Sequence, residues 1–365
     1  MKVLVNYLAH LIFLIFTLVI TVQTKMILKA EGEPCECKYE NCTCKTFSNC
    51  EVLSQEDDVL HCDRIKGIVC CPEEPKYNTT YIPPVLVSEL ACERYTKMTS
   101  KECPQKFITG GERAKLKEFP PAALLGNFNP TTNDTTWFCG GTLISERFVL
   151  TASHCGNGDS INVVRLGDVD FSTTKDDVGV QQFSVSRAIP HMRYNRTKYY
   201  DIMLLELNGT VTFTDYVQPA CILTPNFMAY NQDQYWAVGW GYTGELAEMS
   251  PQLRRVLLEK MDNDNCTQIS NIIHDLQRGL RDRIQFCLHG NSTDTCKGDS
   301  GGPILIKFPH NLEYRCLYMV AGVVSFGQEV CGEQDIPSIN TNVTAFVDFI
   351  ESHVWPNETK EERMG

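Results

Sequence analysis

The sequence predicts a mainly β protein, a sandwich or barrel with a C-terminal helix, preceded by a small unit stapled by disulfides. Three observations carry that expectation. From Ile108 onward, short β-branched and aromatic runs such as Tyr235–Val238 and Met319–Ser325 are separated by Gly, Asn, Asp and Pro, which is the pattern of many short strands joined by turns. Within 344–355, Phe346, Phe349, Ile350 and Val354 recur at helical spacing, so they share one face of a helix and serve as core packing. From Cys35 to Cys71 there are eight cysteines in 37 residues. So short a unit buries too little apolar surface to hold itself without cross-links.

Composition narrows the class. A chain of 365 residues is long enough for one large domain or two unequal ones, and its 43% hydrophobic content is that of a globular protein. The net charge of −12, with no basic run, argues against nucleic acid as a partner and fits a solvated acidic surface. Eighteen cysteines, an even count, point to an oxidising compartment. Met1-Lys2 followed by the apolar run Leu11–Val22 reads as a secretory signal peptide over 1–24, its end falling between 24 and 30. That run is shorter than the ~20 residues a membrane span needs, so no membrane anchor is expected and the protein is read as secreted and extracellular. Nine Asn-x-Ser/Thr sequons, at Asn41, Asn78, Asn133, Asn195, Asn208, Asn265, Asn291, Asn342 and Asn357, suit a glycoprotein.

In chain order, the cysteine-rich unit covers 33–73. Zinc is the competing reading for it, but Cys35-Glu-Cys37 and Cys42-Thr-Cys44 lack the knuckle spacing. Residues 74–107, rich in Pro at 75, 83 and 84 and without a sustained period, read as an extended linker or pro-segment. The β-rich domain covers 108–355, and 356–365 is a charged tail. A second helix is expected over 271–280, with Ile272, Ile273, Leu276 and Leu280 on one face. Gly239-Trp-Gly241-Tyr-Thr-Gly244 formally matches GxGxxG, but no strand–turn–helix context surrounds it, so a dinucleotide site is rejected.

The chemistry concentrates in Asp294-Thr-Cys-Lys-Gly-Asp-Ser-Gly-Gly-Pro303. A hydroxyl is a weak nucleophile at its own pKa, so Ser300 needs a base beside it and donors for the charge its attack creates. Gly298, Gly301 and Gly302 permit a sharp turn that aims the N–H groups of Gly298 and Ser300 at one oxyanion. Gly-Asp-Ser-Gly-Gly-Pro resembles the nucleophile loop of chymotrypsin-type serine proteases. Leu150-Thr-Ala-Ser-His154-Cys155 resembles that family's histidine loop, with Ser153 where alanine is usual, and Asp201-Ile-Met-Leu-Leu205 resembles its aspartate segment. The resemblance implies two packed six-stranded antiparallel β-barrels with the catalytic groups between them. It implies that Ser300 attacks the scissile carbonyl, His154 carries the proton and Asp201 orients the imidazole. Ser325 would support the aspartate and line the substrate strand.

The run Cys44-x5-Cys50, Cys62, Cys70-Cys71 resembles the clip domain that precedes arthropod serine proteases. Its pattern implies Cys44–Cys62 and Cys50–Cys71, with Cys70 bonded to Cys35 or Cys37 and Cys42 taking the one that remains. For the protease part the resemblance implies Cys139–Cys155, Cys266–Cys287 and Cys296–Cys331. Cys221 would tether the pro-segment through Cys92 or Cys103; Cys92 is preferred, which leaves Cys103 with Cys316. Ile108-Thr-Gly-Gly111 is similar to the mature terminus of the family. A cut before Ile108 would free an ammonium to pair with Asp299, making the uncut chain a zymogen. Phe107 precedes the bond where Arg or Lys is usual, which implies an activating protease of chymotrypsin-like preference; a cut after Lys106 would displace the amine by about 3.5 Å.

Asp294, six residues before Ser300, matches the floor of the family's primary pocket and implies a preference for Arg or Lys. Gly327 keeps one wall open, whereas Ser338 replaces a glycine of the other and is expected to crowd it, at about 1–3 kcal/mol. Asp168, Asp170, Asp176 and Asp177 stand where many relatives hold calcium, an oxygen-seeking cation; no cofactor is expected for catalysis itself. The whole resembles a secreted clip-domain protease zymogen, with a protein substrate, an upstream activator and a serpin-type inhibitor as partners in an immune or developmental cascade. A non-catalytic homologue that acts as a binding cofactor, and a digestive protease, are the rival readings.

Overall fold

The computed structural model describes residues 34–35, 42–46, 61–63, 68–72, 86–98 and 112–358, the last without 158–159, 176, 197, 226–233, 243–247, 271–275, 277–278, 291–294, 308–316, 328–336 and 357. The chain divides into two compact units, Met1–Ile82 and Pro83–Gly365. In the first, β1 (Pro34–Cys35), β2 (Cys42–Thr46), β3 (His61–Asp63) and β4 (Ile68–Pro72) form an antiparallel sheet in the order β1-β2-β4-β3. Cys44 and Cys70 are buried and disulfide-bonded; the pairings expected of this unit lie outside the described residues, as does the signal segment.

The second unit opens with α1 (Val87–Met98) and β5 (Glu112–Arg113). Strands β6 (Ala122–Asn129), β7 (Asp134–Leu143), β8 (Phe148–Thr151), β9 (Val163–Leu166), β10 (Gln181–Pro190) and β11 (Met203–Leu207) close into a barrel. The short β12 (Cys221–Ile222) leads to β13 (Gln234–Gly239), β14 (Arg254–Lys260), α2 (Asn263–Ser270), β15 (Gln285–His289), β16 (Pro303–Lys307), β17 (Tyr318–Phe326) and β18 (Ser338–Asn342). The ring β17-β16-β13-β14-β15-β18 closes because β18 also pairs with β17. All pairings around both rings are antiparallel, so the two six-stranded barrels of a chymotrypsin fold are present. Sequence pattern follows burial: β17 reads Tyr-Met-Val-Ala-Gly-Val-Val-Ser-Phe and is buried along its whole length, whereas β10 alternates between half-buried and exposed positions. One core cluster, including Leu124, Leu205, Trp240, Leu305 and Val323, runs through both barrels.

At the C-terminus, a 3-10 turn (Val343–Phe346) leads into α3 (Val347–Val354). The Asn342 side chain caps that turn by accepting the Thr344 N–H. Phe346, Ile350 and Val354 are buried, while Phe349 is half-buried with its ring against His191 and His353. The helix expected over 271–280 is not present in its described part: residues 276, 279 and 280 are non-helical and Gly279 takes a left-handed φ of +70°, while the rest lies outside the described residues; a helix stands just before it, at 263–270.

The segment read as an extended linker departs from that expectation: it contains α1. Val87, Ala91 and Tyr95 are spaced four apart and buried. The stripe escaped a reading for apolar periods because Ser88, Glu89, Cys92 and Thr96 fill the rest of the buried face. The polar members have partners. Ser88 donates through N–H and hydroxyl to Glu351 (both 2.8 Å), Thr224 donates to Glu89 (2.5 Å), and Cys92 is bonded to Cys221. Tertiary contact, not helix propensity, makes this element.

Candidate active site

Between the barrels, the sequence-predicted residues are held by local architecture. β8 ends at Thr151, and the turn Ser153–Gly156 places His154 beside the loop that leads into β11. Asp201 is fully buried. Its Oδ2 lies 2.7 Å from His154 Nδ1 and accepts the Ser325 hydroxyl at 2.5 Å, while Oδ1 accepts the His154 backbone N–H at 2.9 Å. Two further bonds hold the aspartate loop, one to the histidine loop and one to β18. Ser153 donates to the Ile202 carbonyl at 2.6 Å, and Thr341 donates to the Asp201 carbonyl at 2.9 Å. The serine at 153 thus adds a strut between the histidine and aspartate loops.

Ser300 lies in a tight turn between Gly298 (φ +88°) and Gly301 (φ +74°), left-handed conformations that glycine adopts without Cβ strain. Among the described residues, neither the Gly298 nor the Ser300 N–H donates a hydrogen bond within the protein, so both remain available to a ligand. The Ser300 carbonyl accepts the Gly140 N–H at 2.8 Å, and the Gly301 N–H donates to Val324 at 2.8 Å. Gly140 belongs to the first barrel and Gly302 to the turn, and a Cβ on Gly140 would strike the Gly302 backbone. This close approach brings the serine loop up to the Cys139–Cys155 disulfide, next to His154.

Asp299 is turned inward. Its carboxylate accepts the N–H groups of Gly241 (2.8 Å) and Cys296 (2.9 Å), and burial pushes its pKa up to about 6 against those bonds and the charge of Arg254. A Cβ at Gly239 or Gly241 would collide with this carboxylate. The glycines rejected as a nucleotide loop therefore wall the Asp299 pocket, a role that no reading of the tripeptide alone could supply. Phe107, Ile108 and Asp294 lie outside the described residues.

Of the pocket residues that are described, Gly327 and Ser338 face each other: a Cβ on Gly327 would sit 3.8 Å from Ser338 Cα and Cβ. Ser338 is buried, donates to the Leu288 carbonyl (3.3 Å) and accepts the Asn340 amide (3.2 Å). Its hydroxyl is thus engaged by β15 and by its own strand β18. Cys266 is bonded to Cys287. Cys296 is disulfide-bonded, but Cys331 and the Cys103–Cys316 pair lie outside the described residues.

The calcium expectation does not fit the residues present. Arg165 occupies the centre of the acidic loop: its Nε donates to Asp168 Oδ2 and its Nη2 lies 2.8 Å from Asp177. Asp168 Oδ1 accepts the Asp170 N–H, and Asp170 is used by Ser172 and Gln252. The carboxylates converge on a guanidinium, so the oxygen cage that calcium requires is not assembled; Asp176 lies outside the described residues. The cluster Cys139, His154, Cys155 has metal-like proximity, but its thiols form a disulfide.

Two such barrels, with a serine, a histidine and an aspartate gathered where they meet, define the chymotrypsin class of serine protease folds. A family model described as Trypsin matches residues 108–350, and the chain belongs to that family. It is 30% identical over 352 residues to CLIP domain-containing serine protease B15 of Anopheles gambiae, covering 88% of this chain and 90% of the relative. It is 32% identical over 308 residues to serine protease snk of Drosophila melanogaster, with 78% and 68% covered. A third similar protein, phenoloxidase-activating factor 1 of Holotrichia diomphalia, is 28% identical over 353 residues, with 87% and 92% covered. These relatives, together with the cysteine pattern of the first unit, place the chain among clip-domain serine proteases.

Proposed function

We propose that the chain is the zymogen of a secreted serine endopeptidase, with Ser300 as nucleophile, His154 as general base and acid, and Asp201 as the group that orients the imidazole. The observation that carries this is the buried Asp201 carboxylate, bonded at once to His154 Nδ1, to the His154 N–H and to Ser325. An ionised Asp201 keeps the proton on Nδ1 and leaves Nε2 to take the Ser300 proton. The free N–H groups of Gly298 and Ser300 would then hold the oxyanion of the tetrahedral intermediate.

The same reading includes a cut before Ile108, whose ammonium would pair with Asp299. The support is electrostatic: a buried carboxylate lifted to about 6 is stabilised by a cation, since an unpaired buried charge costs roughly 3–5 kcal/mol. Asp294 would select Arg or Lys at the cut, with Ser325, Gly327 and Ser338 lining the pocket. The domain limits, 33–73 for the clip unit, 74–107 for the pro-segment and 108–355 for the protease, belong to this proposal. So do an extracellular location, an activating protease upstream and a serpin-type inhibitor. The name phenoloxidase-activating factor, carried by one relative, supports a precursor protein as substrate.

A fluorophosphonate probe tests the core of it. Protein cut at the Phe107–Ile108 bond should be labelled, and the Ser300→Ala chain should not. Cut protein that stays unlabelled would favour a binding cofactor over an enzyme. N-terminal sequencing of the naturally activated form, with turnover of Arg, Lys and Phe peptides, tests the register of the cut and the pocket preference.

A further inference from the structure

A carboxylate can orient an imidazole only if the backbone that carries it is fixed, and the residue just before Asp201 is conformationally strained. Tyr200 has a φ of +55°, a left-handed conformation that a bulky side chain rarely adopts. Such a conformation persists only where the surroundings over-determine it, and an outlier of this kind points to function. Here it adjoins a fully buried acid. The Tyr200 carbonyl accepts the Ile202 N–H at 2.8 Å, which closes a three-residue turn with Asp201 at its centre. The direction of the Asp201 side chain therefore depends on the backbone at 200.

What over-determines Tyr200 is a cluster of rings. The imidazole of His191, just past β10, stacks on the Tyr200 ring with 5.3 Å between centroids and 8° between planes. Phe346, buried in the turn before α3, meets both rings edge-on, 6.1 Å from Tyr200 and 5.2 Å from His191. Phe349 of α3 adds a second edge contact to His191 at 5.0 Å. The Arg193 guanidinium lies 5.5 Å from the Tyr200 centroid, and its Nη1 donates to the hydroxyl at 3.2 Å. Burial, followed by the charges of Arg193 and His353, lowers the His191 pKa, so at neutral pH the imidazole stacks as an uncharged ring. The backbone is pinned as well. The His191 N–H donates to the Ile202 carbonyl at 3.0 Å, and that carbonyl also accepts the Ser153 hydroxyl. The C-terminal turn and helix thus reach, through two rings, the residue that sets the direction of Asp201.

We propose that Tyr200 is a positioning residue: its ring, clamped by His191, Phe346 and Arg193, holds the left-handed backbone that aims the Asp201 carboxylate at His154 Nδ1. Without the ring, the strain at 200 relaxes by rotation of the turn, and Asp201 Oδ2 leaves its 2.7 Å contact with the imidazole. Ser325 and Thr341 hold Asp201 from the second barrel; the ring cluster is the support on the side of the first. The kinetic consequence rests on the protease reading above, whereas the geometry can be followed without turnover.

Three substitutions separate the ring from the backbone. Tyr200→Phe keeps the ring. Tyr200→Asn removes it but leaves a residue that adopts left-handed φ readily. Tyr200→Val removes the ring and, being β-branched, resists that conformation. Full-length protein cut at the Phe107–Ile108 bond is titrated to completion with a fluorophosphonate, so that kcat for peptide hydrolysis is expressed per reactive Ser300. It should fall by about 100-fold in Tyr200→Val, the scale of a misplacement of about 1 Å, by about tenfold in Tyr200→Asn and by less than about threefold in Tyr200→Phe, with KM unchanged in all three. A second measurement needs no turnover. In the uncut chain, the proton shared by His154 Nδ1 and Asp201 should give a far-downfield NMR resonance, kept in Tyr200→Phe and displaced or lost in Tyr200→Asn and Tyr200→Val. Variants that melt earlier but keep both kcat per titrated site and the resonance would show Tyr200 to be packing alone, and overturn the proposal. Equal losses in Tyr200→Phe and Tyr200→Asn would overturn it too, and that pair decides the matter even where Tyr200→Val does not fold. A wild-type chain that is neither labelled nor active would instead remove the protease reading, with the resonance still deciding the role of Tyr200.

Discussion

The two halves of the site bury a carboxylate in different ways. Asp201, on the side of the first barrel, is surrounded by its own partners: the imidazole and N–H of His154 and the Ser325 hydroxyl. Asp299, beneath the serine turn, receives two backbone N–H groups, and burial still drives its pKa up to about 6. Elsewhere the first pattern recurs. Glu118 is paired with the buried Arg255, which also reaches Glu112 at 3.3 Å, and Asp168 is paired with Arg165. Glu118 and Asp168 each have a guanidinium, whereas no cation lies within ion-pair distance of Asp299 among the described residues. In the proposed reading, the contrast would separate a base-and-orienter half already assembled before any cut from a nucleophile half whose loop still lacks a charge.

Removing the orienter should have the largest effect. Asp201→Asn leaves the shape but favours the wrong tautomer of His154, and kcat for peptide hydrolysis near neutral pH should fall by about 10⁴, with KM little changed. A loss under tenfold would mean that the imidazole is not being used as a base. Asp299→Asn should cost less, about 10²–10³, the scale of a lost oxyanion donor, because the turn would no longer be drawn into place.

Asp299 also sets a pH signature. Its folded pKa of about 6 lies above the unfolded value of ~3.9, so the folded state holds the proton more tightly. The uncut chain therefore loses stability as pH rises from about 4 through about 6, by roughly 2–3 kcal/mol. If Ile108 is freed as proposed, its ammonium would offset that loss. The gap in melting temperature between cut and uncut chains should widen from pH 5 to pH 7, and Asp299→Asn should flatten it. A gap that ignores pH would dissolve the distinction between the halves.

How much of this could be read beforehand follows from what each residue depends on. The β-rich domain shows itself in runs such as β17, so the fold class was legible, and His154, Asp201 and Ser300 could be named as candidates because each sits in a short local motif. Contacts made by tertiary placement were not. Ser153 looked like a tolerated change until its bond to Ile202 showed it to be a strut. Gly241 looked like a false nucleotide motif until its N–H was found on Asp299. Helix α1 was hidden because its buried face is half polar, and its partners Glu351, Thr224 and Cys221 lie more than a hundred residues away. Acidic spacing at 168–177 suggested a metal because sequence cannot show that Arg165 turns inward among those carboxylates.

Helix α1 offers a perturbation that should spare both halves. The Cys92–Cys221 bond closes a loop of 129 residues, and Tyr95 packs edge-on to Phe213 with its hydroxyl on the Ile144 carbonyl. The double change Cys92→Ser, Cys221→Ser should cost about 2–4 kcal/mol, a fall of roughly 5–15 °C in melting temperature for a unit of this size. The kcat of folded, cut protein should stay within about twofold, since neither residue touches the reacting groups. A large drop in kcat at unchanged KM would instead tie the helix to the site.

Calcium removal should have the smallest effect, and it probes the rule that distinguishes Asp299 from the other buried acids. Burial raises the pKa of Asp168 and the Arg165 guanidinium pulls it back. The same guanidinium holds Asp177 at 2.8 Å, so this loop carries its cation within the chain. Melting temperature in excess calcium and in chelator should therefore agree within about 1 °C, less than about 0.5 kcal/mol. A larger rise with calcium would show that the metal competes with Arg165 for Asp168 and Asp177. Asp299 would then be one of two buried acids that recruit charge from outside, and the line between the halves would have to be drawn by location instead of by how each acid is neutralised.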